Sequence, residues 1–199
     1  MKKILFSLLM MMAVLESCAT THFHGISTSL TPGEHYKKII VHSNLEDIDS
    51  RKTVEDAVVK QFKAIGVSAT PSYTLFPQDN HDTWDVKKKV IQAGGFDAGL
   101  VVKVINSTVE TTPKGFQKTD FNQTVANFTV ADFEIETKLV DTRDFEAVWK
   151  AQTGSREGMN ASGDFSLRNI MESYANTLVA ELQSEGIVVA AMNLESISR

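Results

Sequence analysis

Between Leu100 and Ile105 the chain reads LVVKVI, apolar at every position but Lys103. A strand with that pattern has no wet face, so it belongs inside a sheet covered on both sides. This one segment obliges the rest of the chain to supply neighbouring strands and covering helices.

The periodicity elsewhere provides both. KIIVH, residues 38–42, is a short β-branched run and reads as a first strand. Val54, Val58, Phe62 and Ile65 then recur at spacings of four, four and three, the helical period. Asp49 or Ser50 is placed to cap that helix, and Gly66 follows it in the usual left-handed position. VSATPSYTLFP is extended and broken by Pro71 and Pro77. A second helix begins near Asp82 or Thr83, carries Trp84, Val86, Val90 and Ile91, and stops at Gly94-Gly95.

Beyond the central strand, TTPKGFQKTD (111–120) reads as a polar loop. In DFEIETKL, Phe133, Ile135 and Leu139 alternate with Glu134, Glu136 and Lys138, one dry face and one wet. DTRD (141–144) is a turn, and FEAVWKAQT returns with Phe145, Ala147, Trp149 and Ala151 expected on one face. Residues 121–153 thus form an antiparallel hairpin. Gly154 to Asp164 reads as a loop. The last helix spans about Ser166 to Glu185, with Leu167, Met171, Tyr174, Leu178 and Leu182 on its stripe, reinforced by Ile170, Ala175 and Val179, and Gly186 at its end. IVVAAM beyond it reads either as a short edge strand or as more helix.

The fold class expected is therefore α/β: one twisted mixed sheet of about five strands with about three helices packed on it.

The N-terminus carries a different signal. Lys2 and Lys3 precede an apolar run from Ile4 to Leu15 interrupted only by Ser7. That is too short for a bilayer, which needs about 20 residues, and has the form of a secretory signal peptide. It ends Leu15-Glu16-Ser17-Cys18, and Cys18 is the single cysteine of the chain, unable to form an internal disulfide. The sequence divides into a signal peptide over 1–17, a tether rich in Thr, Ser, Gly and His over 18–35, and a single α/β domain over 36–199. The 182 residues after position 17 suffice for one domain with a core.

Leu15, Ser17 and Cys18 resemble the bacterial lipobox, from which Glu16 departs. The resemblance implies diacylglycerol on the Cys18 sulfur, cleavage before Cys18 and acylation of the new amino group. More than one acyl chain gives stable anchoring. Ala19, in place of the Asp that favours inner-membrane retention in the lipoprotein sorting rule, points to the outer membrane. FDAGLVVKV, the strand ending LVD at 139–141, its tight turn and VW at 148–149 also resemble bacterial envelope lipoproteins. Those share a domain like the amino-terminal domain of the translocation protein TolB, and they include the curli secretion channel subunit. The resemblance implies the α/β fold over most of 37–186 and many members of unknown role.

A few residue patterns in the chain are of the kinds that carry chemistry. His22 and His24 form an H-x-H pair, short of the three ligands of a catalytic zinc or the four of a structural one. His35, His42 and His81 are scattered. GSREG (154–158) has the wrong spacing for a nucleophile elbow. GGFDAG (94–99) follows a helix and precedes a strand, the reverse of a phosphate loop. Asp132, Glu134 and Glu136 share one strand face and read as a solvated surface. The sequons at Asn106, Asn122, Asn127 and Asn160 carry little weight beside a lipobox. No catalytic, cofactor or metal residue is assigned. A net charge of −5 without a basic patch argues against nucleic acid.

The function expected is that of an outer-membrane-anchored periplasmic lipoprotein serving as a binding or assembly module. Its membrane contact is the lipid on Cys18, and its partner is an envelope protein or further copies of itself. The alternative is a hydrolase-like envelope enzyme built from distant acids near Asp82, Asp85 and Asp97. A membrane hairpin of the curli-channel kind is disfavoured over 121–140, because Asn127, Asp132, Glu134 and Lys138 interrupt an apolar face in either register.

Overall fold

The computed structural model describes residues 20–30, 35–77, 83–119, 122–158 and 167–190. The elements in chain order are β1 (Thr20–Thr28), β2 (Lys38–Ser43), α1 (Ile48–Ala64), β3 (Ser68–Pro71), a 3₁₀ turn (Ser72–Thr74), α2 (Trp84–Ala93), β4 (Ala98–Thr119), β5 (Asn122–Asp141), β6 (Ala147–Gly158) and α3 (Leu167–Ser184). The strands form one mixed sheet in the order β1-β6-β5-β4-β2-β3. β2 runs parallel to both β3 and β4, and the other pairs are antiparallel. The fold class is the expected α/β, with six strands instead of about five.

The inner face of the sheet holds the main core. Ile39 and Val41 of β2, Leu100 and Val102 of β4, Ile135 and Leu139 of β5 and Trp149 of β6 are fully buried there. They meet the stripes of α1 (Val54, Val58, Phe62) and α3 (Met171, Tyr174, Leu178, Leu182) in one continuous cluster. Asp47, not Asp49 or Ser50, caps α1: its carboxylate accepts from Ser50 N at 2.8 Å. This bond holds the Asp47 carboxyl below its usual range. Gly66 and Gly186 close α1 and α3 at φ of 79° and 70°, where a Cβ is disfavoured. Beyond Gly186 the backbone is neither helix nor strand through 190, and Ile187 and Val188 fold back into the core.

Four expectations about the strands and the segments that join them are corrected. Residues 20–28, read as part of a tether, form an edge strand against β6, with Phe23 packed on the core. Residues 111–119, read as a loop, continue β4 and pair with β5 through Asn122. β2 accompanies β4 only to Val102, and β6 accompanies β5 from Val130. The two strands therefore extend past the sheet as a two-stranded arm, with no third strand beside it among the described residues. Residues 154–158, also read as a loop, belong to β6.

The fourth correction concerns Phe145. It does not share a face with Trp149 and Ala151. Its φ is +63°, the left-handed conformation that follows a tight turn in hairpins of this length. The pairing also shifts register between Leu139 and Val140. Together these send the Phe145 ring to the outer face, where it packs with Ile40, Phe76, Ile91 and Phe96.

Candidate functional site

Among the described residues, α2 is the one helix on the outer face of the sheet, and with Phe76 and Phe145 it covers that face only in part. Expected to be sealed on both faces, β4 is fully buried at Leu100 and Val102 on one face and only partly buried at Val101 on the other, and Ile105, at a bulge past the end of β2, is 45% exposed. The C-terminal end of α2 is tightly held. Lys38 Nζ donates to Gly94 O at 2.6 Å and lies 5.0 Å from the Phe96 ring. Thr142 Oγ1 donates to Phe96 O at 2.6 Å, and Gln92 Nε2 donates to Thr142 O at 3.1 Å.

The N-terminal end is more open to solvent and meets the sheet side through Trp84, whose ring packs on Phe145. Of the apolar stripe expected on α2 only Ile91 is buried; Trp84 is 53% exposed, and Val86 and Val90 are also exposed. Between helix and sheet lies a cavity of about 350 Å³, walled by Ile40, Phe76, Ile91, Val101, Val140 and Phe145, with Trp84 and Lys87 on the helix side. Lys87 Nζ lies 6.0 Å from the Phe76 ring, and Lys88 Nζ is 5.3 Å and 5.1 Å from those of Trp84 and Phe145.

At one end of the cavity, His42 and Ser72 border a buried polar cluster that sequence reasoning missed. Glu55 Oε1 accepts from Arg51 Nε (2.9 Å), Ser72 Oγ (2.9 Å) and Ser43 N (3.0 Å), and Oε2 accepts from Tyr73 N (3.0 Å). Arg51 Nη2 donates to Ser72 Oγ at 2.7 Å, and His42 Nδ1 lies 2.9 Å from the same oxygen. Ser, His and Glu are thus together, but not as a hydrolytic triad. There the imidazole stands between hydroxyl and acid. Here the hydroxyl gives its proton directly to Glu55 and accepts from a guanidinium. A Ser72 that is 1% exposed and so engaged is a structural strut. The signal for the cluster was available: Arg51 and Glu55 fall at three residues before Val54 and Val58, on the same buried stripe, and four apart from one another. Nearby, the Tyr73 phenol is pushed up to about 12, first by its hydrogen bond to Asp56.

The remaining sequence candidates separate. Cys18, Ala19, His81, Asp82 and Asn160 lie outside the described residues. Asp97 accepts from the backbone N–H groups of Lys37 and Lys38 at 2.8 and 2.9 Å, joining α2's exit to β2. Asp85 lies in the first turn of α2. His35 Nδ1 meets Gly186 O at 2.6 Å. His22 and His24 share a shallow groove with Asn106, Asp132 and Glu134, a proximity the sequence did not reveal. Among the described residues no group of three or more His, Cys, Asp or Glu could hold a metal. Glu136 belongs to the wet face as expected, its carboxyl held low by Lys138. Asn122 and Asn127 lie in β5, on the arm, and GSREG is plain strand with no elbow. GGFDAG ends α2 at Gly94 and opens β4.

The chain matches no family model and no curated protein. Among solved structures it is similar to the PelC dodecamer from Paraburkholderia phytofirmans, at 15% identity and a TM-score of 0.50, covering 83% of this chain and 98% of that one. It is also similar to lipoprotein GNA1162 from Neisseria meningitidis (16% identity, TM-score 0.44, covering 74% and 98%). A third is a minor lipoprotein from Acinetobacter baumannii (11%, 0.41, 77% and 97%). The likeness to PelC is one of fold.

Proposed function

We propose that the protein is a lipoprotein of the bacterial cell envelope, held on the periplasmic side of the outer membrane by acyl chains on Cys18, and that its domain works as a binding or assembly module. The observation that carries the module reading is the outer face of the sheet. Among the described residues, the one helix on that face leaves Val86 and Val90 exposed and sets the half-exposed Trp84 at the mouth of an apolar cavity. Grouped exposed apolar residues of this kind mark interaction sites. The buried polar groups nearby are engaged in holding the fold. The arm formed by 111–119 and 122–129 has strand edges with no further strand paired to them among the described residues, suited to strand addition. PelC is a dodecamer, and self-assembly is one form such a module takes. The anchor rests on the lipobox-like LESC.

A photo-crosslinking amino acid at Val86 tests the module reading in intact cells. A discrete adduct, with this chain or with one envelope protein, is the expected result. A smear or no adduct would count against it. The anchor is tested by intact mass of the membrane-extracted protein: a chain beginning at Cys18 with added acyl mass is expected, and its loss in Cys18→Ser. An unacylated wild-type chain would remove the anchor.

A further inference from the structure

We propose that the arm of β4 and β5 lies on the bilayer at the level of the lipid headgroups, held there by an anchor attached at its root. This deepens the anchor reading of the proposed function and rests on it.

Little chain separates the lipid from the sheet. β1 starts at Thr20, and Cys18 stands two residues before it. Two residues span at most about 7 Å. Acyl chains on Cys18 would therefore hold the edge strand close to the bilayer, where a tether running to residue 35 would let the domain swing free.

The attachment point falls level with the start of the arm. Thr20 pairs with Arg156, Arg156 with Asp132 and Asp132 with Thr108, one row across the sheet. β1 and β5 are both antiparallel to β6, so they run the same way. Traced backwards from that row, β1 leads toward Cys18 and β5 runs out into the arm in the same direction. From Ala131 to Asn122, β5 extends ten residues past the row, about 34 Å at about 3.4 Å per residue.

The folded body fixes the tilt. On the other side of the row lie Ile135, Leu139 and Trp149 of the core. β1 is the edge of the sheet, so a bilayer at Cys18 runs either alongside the strands or across their ends. Alongside, the arm strands stand two and three strand spacings away, about 10–15 Å. Across, the arm points into the membrane. A tilt that lifted the arm away would press the body into lipid instead. Deep entry of the arm is costly too. A hairpin whose edges carry no further strand would leave backbone groups unmatched in hydrocarbon. The headgroup layer, with its water and polar groups, is where both constraints are met. The sequence over 111–129 suits that layer. It has Lys114 and Lys118 against one acid, Asp120, and three aromatics, Phe116, Phe121 and Phe128, in a chain of net charge −5.

The test uses the full acylated chain in vesicles of phosphatidylethanolamine and phosphatidylglycerol. Cys18 is the single cysteine and has no free thiol once acylated, so one added cysteine carries a fluorophore. Thr124→Cys puts it on the arm, and Glu146→Cys puts it at an exposed position beyond the far end of β5. Lipid with a headgroup nitroxide should quench the arm label at least about threefold more than the other. A nitroxide deep in the acyl chains should quench neither. A Gly-Ser insert of about 20 residues between Ala19 and Thr20, reaching about 25 Å, should make quenching of the two labels equal. Equal quenching without the insert, strong quenching by the deep nitroxide, or a difference that survives the insert overturns the proposal. So does an arm label shielded from both the lipid nitroxide and aqueous iodide, which would put a second copy on the arm. Intact mass of the same preparation separates the two levels. An acylated chain with an unquenched arm keeps the anchor and loses the arm contact; an unacylated chain loses both.

Discussion

The ring of Trp84 stands edge-on to that of Phe145, with centroids 5.6 Å apart and planes at 77°. One residue opens α2 and the other sits in a left-handed backbone conformation just after the β5–β6 turn. The pair joins helix and sheet at the mouth of the cavity. A left-handed non-glycine residue costs about 1–2 kcal/mol, and an edge-to-face pair contributes about 0.5–1.5 kcal/mol. Phe145→Ala keeps the backbone strain and loses the ring, whereas Phe145→Gly loses both. The alanine variant should therefore be the less stable by about 1 kcal/mol in urea denaturation. The reverse order would show that the turn is not strained.

The Arg51–Glu55 pair is buried, and the Glu55 carboxylate has four donors on it. Glu55→Ala removes a hydrogen-bonded carboxylate from beside a buried guanidinium. Such losses run about 3–5 kcal/mol. Thermal denaturation should show a large fall in Tm, and a loss below about 1 kcal/mol would mean that water reaches the cluster.

Asp141 gives stability with a defined pH dependence. Its carboxylate accepts from Arg143, through side chain and backbone, and from Tyr36 Oη at 2.9 Å. The Arg143 guanidinium holds the carboxyl below its ordinary value despite burial, which acts the other way. A depressed folded value means that the stabilisation is complete above the unfolded value of about 3.9 and is lost as pH falls through the folded one. Asp141→Asn should cost about 2 kcal/mol at pH 7. The gap to wild type should narrow steadily below pH 4; a constant gap down to pH 2 would contradict the linkage.

Thr153 is fully buried on β6, and its hydroxyl has no hydrogen-bond partner among the described residues. Thr153→Val replaces that hydroxyl with a methyl of similar size. It should be neutral or stabilise by about 1 kcal/mol. A loss would reveal a partner for the hydroxyl.

β1 is held by backbone pairing with β6 and by Phe23, whose ring lies 6.5 Å from Tyr174 and 6.4 Å from Trp149. Phe23→Ser should release this edge locally. Amides of Thr20–Thr28 should exchange much faster, with those of Leu100 and Leu139 unchanged. Equal acceleration everywhere would mean that β1 unfolds only with the whole domain.

The helices, the hairpin turn and the inner core were legible because each is written in a local period. Val54, Val58 and Phe62 or Tyr174, Leu178 and Leu182 cannot be buried except on one face of a helix. Ile135 and Leu139 alternate with charges, so their strand has one dry side. Other features had no local signature. β1 is polar and earned its place only through a partner more than a hundred residues away. The arm of β4 and β5 contains Pro113 and Gly115, which spoke for a loop. Phe145 matched the spacing of Trp149, but a turn and a register shift placed it on the opposite face. The cavity required α2 to be tethered by Lys38 and Thr142 at one end while Trp84 meets Phe145 at the other, leaving the space between them unfilled. Periodicity determines which side of an element is dry. Only the docking of elements decides what that side meets and where it meets nothing.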